Sequence, residues 1–173
     1  MTALTNSAKL RLRAPGAAGG DPEPGACPPG RRVNHPRTFG RQEKLALIDT
    51  LVRSRLTRRD SDFVLCFGED AILVIAGDRT CLASAGRWTG RAQITEAMRL
   101  FDSALHTSNF RVEAPLIDKD QAAVRWSMTV ARRGGGGSAE TKCLLHLKFH
   151  DWLVSEFTLA TDTALIDLMV NGG

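Results

Sequence analysis

Hydrophobic and polar residues alternate with period two through the second half of the chain. In Gln121–Arg132, Ala122, Val124, Trp126, Met128 and Val130 fall on one face and Ala123, Arg125, Ser127, Thr129 and Ala131 on the other. In residues 142–149, Cys143, Leu145, Leu147 and Phe149 oppose Lys142, Leu144, His146 and Lys148. Side chains of a strand point alternately to its two faces, so each run reads as a strand with one face against a core. Together with residues 110–117 and 152–161 these runs predict a curved antiparallel sheet. Asp118-Lys119-Asp120, the glycine-rich stretch from Arg133 to Glu140, and His150-Asp151 supply its turns. Connections this short build a meander, because parallel neighbours need longer crossovers.

The first half changes period. Leu45, Ile48, Leu51, Val52 and Leu56 recur at three- and four-residue spacing, predicting a helix over residues 43–57. Arg53, Arg55, Arg58 and Arg59 crowd its C-terminal end, where cations complement the helix dipole. Asp60-Ser61-Asp62 starts a second, short helix. Residues 71–76 read as a buried strand and residues 77–88 as a loop or ragged hairpin. Gly90 then opens a third helix with Ile94, Ala97, Met98, Phe101 and Leu105 on one face. Residues 163–170 read as a short amphipathic tail helix.

Composition separates a tail from a domain. Six of the seven prolines lie in residues 1–40, the exception being Pro115, and so composed a segment buries too little apolar surface to order itself. A disordered tail over 1–40 and a domain over 41–170 are therefore expected. The overall charge of +4 resides in the tail: residues 1–41 hold seven Lys and Arg against two acids, and the remaining residues sixteen against seventeen. A neutral folded part does not suit nucleic acid as a partner. Cys27, Cys66, Cys81 and Cys143 lack metal-ligand spacing, and no His pair supplies it, so no metal or cofactor is called for. Scattered cysteines and the lack of an 18-residue apolar run point to a cytoplasmic protein with no membrane partner.

The order helix, short helix, strand, helix and long-stranded meander resembles the cone-shaped α+β fold of the nuclear transport factor 2-like superfamily. The local motifs agree. Phe67-Gly-Glu-Asp-Ala-Ile-Leu73 resembles the approach to the family's first strand, and Trp88-Thr-Gly-Arg-Ala-Gln-Ile94 its Gly-x-x-x-Ile helix start. Gln121-Ala-Ala-Val-Arg-Trp126 and the stretch from Trp152 to Asp162 look like its last strands. Within that superfamily the chain is most similar to the SnoaL-like polyketide cyclase and ketosteroid isomerase branch, over about residues 42–168. The resemblance implies a curved antiparallel sheet wrapped by three N-terminal helices around an apolar pocket. It does not settle chemistry, since the superfamily holds isomerases, cyclases, dehydratases and non-catalytic binders.

Carrying over the isomerase machinery tests the chemistry. That machinery uses an Asp base with a Tyr and a protonated Asp as oxyanion hole. The resemblance places the base at Ile75, the neutral acid at Leu145 and the tyrosine near Leu51, and the chain contains no tyrosine. All three positions are aliphatic, which argues against ketosteroid isomerisation. The same alignment turns Val124, Trp126, Met128, Glu156 and Thr158 toward the pocket, with Phe149 beside them and Trp88 at its mouth. A carboxylate buried there would be a general acid or base, making Glu156 the first catalytic candidate. The strand's own alternation admits a second inward set, Leu153, Phe157 and Leu159, which leaves Glu156 outside to pair with Arg125 or Lys148.

Two functions follow as expectations. One is a pocket for a small hydrophobic molecule, with proton-transfer chemistry on a carbonyl or polyketide-like substrate. The other is a non-catalytic ligand-binding or assembly domain. In either case the outer sheet face (Arg125, Ser127, Thr129, Leu144, His146, Lys148) is where the resemblance implies a homodimer.

Overall fold

The computed structural model of the chain describes residues 39–135 and 137–171. The expectation of a tail over residues 1–40 lies, apart from Phe39 and Gly40, outside the described residues. In chain order the elements are α1 (Arg41–Leu56), α2 (Asp60–Leu65), β1 (Phe67–Ile75), β2 (Gly86–Thr89), α3 (Gly90–Ala104), β3 (Leu105–Val112), β4 (Leu116–Asp118), β5 (Gln121–Arg132), β6 (Ser138–His150), β7 (Leu153–Thr161) and α4 (Thr163–Asn171).

The meander forms as its alternation demands. β5 and β6 pair antiparallel from Gln121↔Lys148 to Ala131↔Ser138 without a shift. Val124, Met128, Val130, Leu145 and Leu147 are all at most 2% exposed, whereas the intervening residues face outward. The sheet runs β2-β1-β7-β6-β5-β3, with β4 also on β5. It is an open α+β sheet with one parallel pairing, β1 on β7, where the first strand of the chain closes against the last. Gly90 stands at the corner between β2 and α3 with φ +78°, and a Cβ there would sit 3.1 Å from the Glu69 carbonyl oxygen. Only glycine takes that corner without strain.

Three boundaries differ from the sequence expectation. The strand expected over 110–117 is two strands, β3 and β4, both lying along β5. Asn109 bulges at φ +51°, and Pro115, which has no N–H for a ladder, lies in the break between them. β1 begins at Phe67 rather than residue 71, and the ragged hairpin resolves into a loop followed by β2. β7 carries the difference that matters most. Lys148 pairs with Glu156 but Phe149 pairs with Val154, so Ser155 is an extra residue. The bulge puts both Val154 and Phe157 inward.

Two cations hold the helices in place, one against the sheet and one against each other. Lys44, 5% exposed, donates from Nζ to the Lys119 carbonyl (2.6 Å) and to Asp120 (3.1 Å), and so holds the β4–β5 turn against α1. Arg55 of α1 forks onto Asp102 of α3 through Nη1–Oδ2 (3.1 Å) and Nη2–Oδ1 (2.8 Å), and Nη1 also reaches Asp60 of α2 at 2.9 Å. Its side chain is 10% exposed and lies over the rings of Phe63 and Phe101. A planar fork matched to a carboxylate fixes direction as well as charge, so one residue locks three helices.

Removing one partner leaves a guanidinium largely out of water. Asp102→Ala is expected to cost about 2–3 kcal/mol, below the ~3–5 of a fully buried pair because the Asp102 side chain keeps 22% exposure. The midpoint of urea unfolding checks this.

Candidate functional site

Between the three helices and the concave face of the sheet lies a cavity of about 30 Å³. Each element contributes what its periodicity turns inward: Arg55 from α1, Phe63 from α2, Met98 and Phe101 from α3, Leu73 and Ile75 from β1, Thr107 and Phe110 from β3, Trp126 and Met128 from β5, and Phe157 and Leu159 from β7. Five aromatic residues stand in that wall. Phe110 meets Trp126 edge-on at 5.7 Å between ring centres, and Phe63 meets Phe157 at 6.0 Å. Such edge-to-face contacts stabilise the wall beyond the area they bury.

Polar groups are few. Among the described residues Arg55 and Thr107 are the wall's polar residues. The indole N–H of Trp126 is buried, and a weak contact with the Cys143 thiol on the residue paired with it is its one polar interaction among the described residues. The acids nearest the wall, Asp60 and Asp102, are both taken up by Arg55. Among the described residues no three His, Cys, Asp or Glu side chains gather where they could hold a metal ion.

Of the residues expected from sequence, Ile75, Trp126 and Met128 stand in the cavity wall. Leu51, Val124, Leu145 and Phe149 belong to the same buried cluster but lie behind or beyond the wall. Phe149 packs edge-on against Phe39 at 5.7 Å, under the Lys44 ammonium. Trp88 is half-buried elsewhere, its indole donating to the Ser84 carbonyl (2.9 Å) beneath the Arg79 guanidinium. Glu156 and Thr158 require a correction. The bulge at Ser155 and the Lys148↔Glu156 and His146↔Thr158 pairings turn both outward, where Glu156 bonds Lys148 at 2.8 Å. A carboxylate on the convex face cannot act on a guest in the concave one.

Residues missed from sequence had signals of unequal strength. Phe157 and Leu159 belonged to the alternative inward set of β7. Arg55 follows Ile48 by seven residues and Leu51 by four, a position on the buried stripe of α1, whereas Leu56 is 48% exposed. Thr107 and Phe110 carried no signal, because the bulge at Asn109 reverses the facing of β3 midway.

Against this geometry, comparison with known proteins is specific about family. The sequence profile of the SnoaL-like domain family matches residues 48–157, and the chain belongs to that family. No curated protein matches the sequence. Solved structures share the cone fold. A nuclear transport factor 2-like protein of unknown function from Burkholderia pseudomallei is 12% identical, with TM-score 0.69, covering 75% of this chain and 98% of its own. TerC, crystallised with polyporic acid, is 14% identical with TM-score 0.68, covering 74% and 98%. A protein assigned as a SnoaL-like polyketide cyclase from Mesorhizobium loti is 12% identical with TM-score 0.55, covering 68% and 97%. At such identities the likeness is one of fold. No described helix is long and apolar enough to cross a membrane.

Two buried thiols respond to this interior. Burial, and then the Asp62 carboxylate, push Cys66 from its ordinary 9.0 up to about 11, and burial raises Cys143 as well. The unfolded thiols ionise first as pH rises, so the unfolded state binds fewer protons and stability falls with pH. Thermal midpoints are expected to drop between pH 9 and pH 11, the window set by Cys66, and less steeply in Cys66→Ala.

Proposed function

We propose that this SnoaL-like domain binds a small hydrophobic molecule, aromatic in part, in the cavity between its helices and the concave sheet face. The observation that carries the reading is the wall itself: five aromatic rings and two methionines around a space with few polar groups. Binding sites for small molecules are typically of roughly 300 Å³ or more, so a guest must widen a space of about 30 Å³. Met98 and Met128 are the residues for that, each with a flexible thioether chain that repacks at low cost. Phe110, half-buried near the sheet edge, is the ring with room to swing.

The neighbour assigned as a polyketide cyclase supports a guest of this kind. Proton-transfer chemistry on a carbonyl substrate has no carboxylate among the described wall residues to support it, so the binding function stands as the better reading. An assembly role has its own observation. Leu144, 46% exposed, stands on the convex face between Arg125 of β5 and Ala160 of β7. A second copy of the chain on that face is the homodimer this suggests, and free cysteines at positions 66, 81 and 143 suit a cytoplasmic setting.

Two variants and a neutral hydrophobic dye such as Nile red test the site. Thr107→Phe, which fills the cavity from the half-exposed side, is expected to weaken dye binding at least about tenfold with an unchanged circular dichroism spectrum. Glu156→Gln should leave binding as it was. Equal dye affinity in the parent and Thr107→Phe would place the guest elsewhere. For the dimer, Leu144→Glu should yield monomers in sedimentation velocity where the parent sediments as a pair.

A further inference from the structure

We propose that Asp60, by sharing Arg55 with Asp102, makes the cavity select uncharged guests that carry a hydrogen-bond acceptor, excluding anionic ones. The inference rests on the ligand-binding reading and adds to it the chemical class of the guest.

Among the described residues Arg55 supplies the only formal charge in the wall. A lone guanidinium there would invite a carboxylate or phosphate. This one is already matched twice, by a fork to Asp102 (3.1 and 2.8 Å) and a bond to Asp60 (2.9 Å). One cation with two carboxylates leaves a formal charge of −1 beside a wall that is otherwise apolar. An anion brought into that wall meets net repulsion, weakened where Asp60 (43% exposed) and Asp102 (22% exposed) face water. Hydrogen bonding points the other way. A guanidinium has five N–H groups, and three are spent on the two carboxylates, so two remain for an acceptor. The Thr107 hydroxyl adds another donor on the same wall. A neutral carbonyl, ether or ester oxygen uses those donors without meeting the charge penalty.

The two carboxylates also differ in role. Asp102 forms the two-pronged bond and is 22% exposed, whereas Asp60 makes one bond and is 43% exposed. Asp102 therefore positions Arg55, and Asp60 supplies the surplus negative charge. Replacing Asp60 by Asn keeps an oxygen to accept the Arg55 bond and removes the charge alone.

Three probes that share one naphthalene ring separate the effects: acetonaphthone, methylnaphthalene and naphthoate, titrated into the full chain by tryptophan fluorescence or calorimetry. The parent is expected to bind acetonaphthone at least about tenfold more tightly than naphthoate and several-fold more tightly than methylnaphthalene. Asp60→Asn should raise naphthoate affinity roughly tenfold and change acetonaphthone affinity far less; Asp60→Ser, which removes the charge and also frees the Arg55 N–H, should raise naphthoate affinity at least as much. Added salt should tighten naphthoate binding to the parent and not to either variant. Naphthoate bound as tightly as acetonaphthone, or unmoved in both variants, overturns the role given to Asp60 while leaving the pocket intact. If none of the three binds, the ligand-binding reading falls too.

Discussion

Strand register is the constraint on which this molecule depends. β5 and β6 run side by side for eleven paired positions without a slip, and that ladder commits Val124, Trp126, Met128, Leu145 and Leu147 to the concave side together. A slip of one residue by β6 would send Leu145 and Leu147 to the convex face and bring Lys142 and Lys148 into the interior. The greasy wall, the helices that cover it and the cavity between them all follow from that single alignment.

Against this regular ladder, the bulges decide the chemistry. One residue inserted at Ser155 resets the facing of β7, bringing Phe157 and Leu159 to the wall and leaving Glu156 with Lys148 outside. Another bulge at Asn109 turns β3 so that Thr107 and Phe110 both reach the cavity although they differ in parity. Bulges of this kind re-aim side chains at little cost to the sheet. Here they exchange a carboxylate for aromatic rings in the one place where a guest would sit.

The Arg55 cluster joins fold and site. Burying a guanidinium seldom adds net stability compared with an apolar residue, because its desolvation offsets most of the attraction. What the fork to Asp102 does supply is a fixed angle among α1, α2 and α3, and hence a fixed roof over the cavity. The same bonds determine how much charge and how many donors that roof presents. Lys44 does a related job at the β4–β5 turn, where its ammonium sits between the Phe39 and Phe149 rings and the Lys119 carbonyl.

Sequence by itself determined the elements whose information is local. Period-two runs in β5 and β6, Ile48, Leu51 and Val52 of the α1 stripe (though not Leu56) and the face of α3 read correctly because hydrophobic periodicity reports which side is buried without knowing against what. The motifs that resembled the SnoaL-like family placed the elements in their proper order for the same reason. Ile75, Trp126 and Met128 were legible as wall residues on those grounds. Tertiary structure alone decided the facing of Glu156, the break that divides β3 from β4, and the use of Arg55 as a buried clamp where end-capping was the simpler reading. Those three depend on which residue lies opposite on another strand or helix. A bulge moves one strand against its neighbour, and a buried ion pair joins residues 47 apart in the chain, so neither leaves a periodic trace in either segment alone.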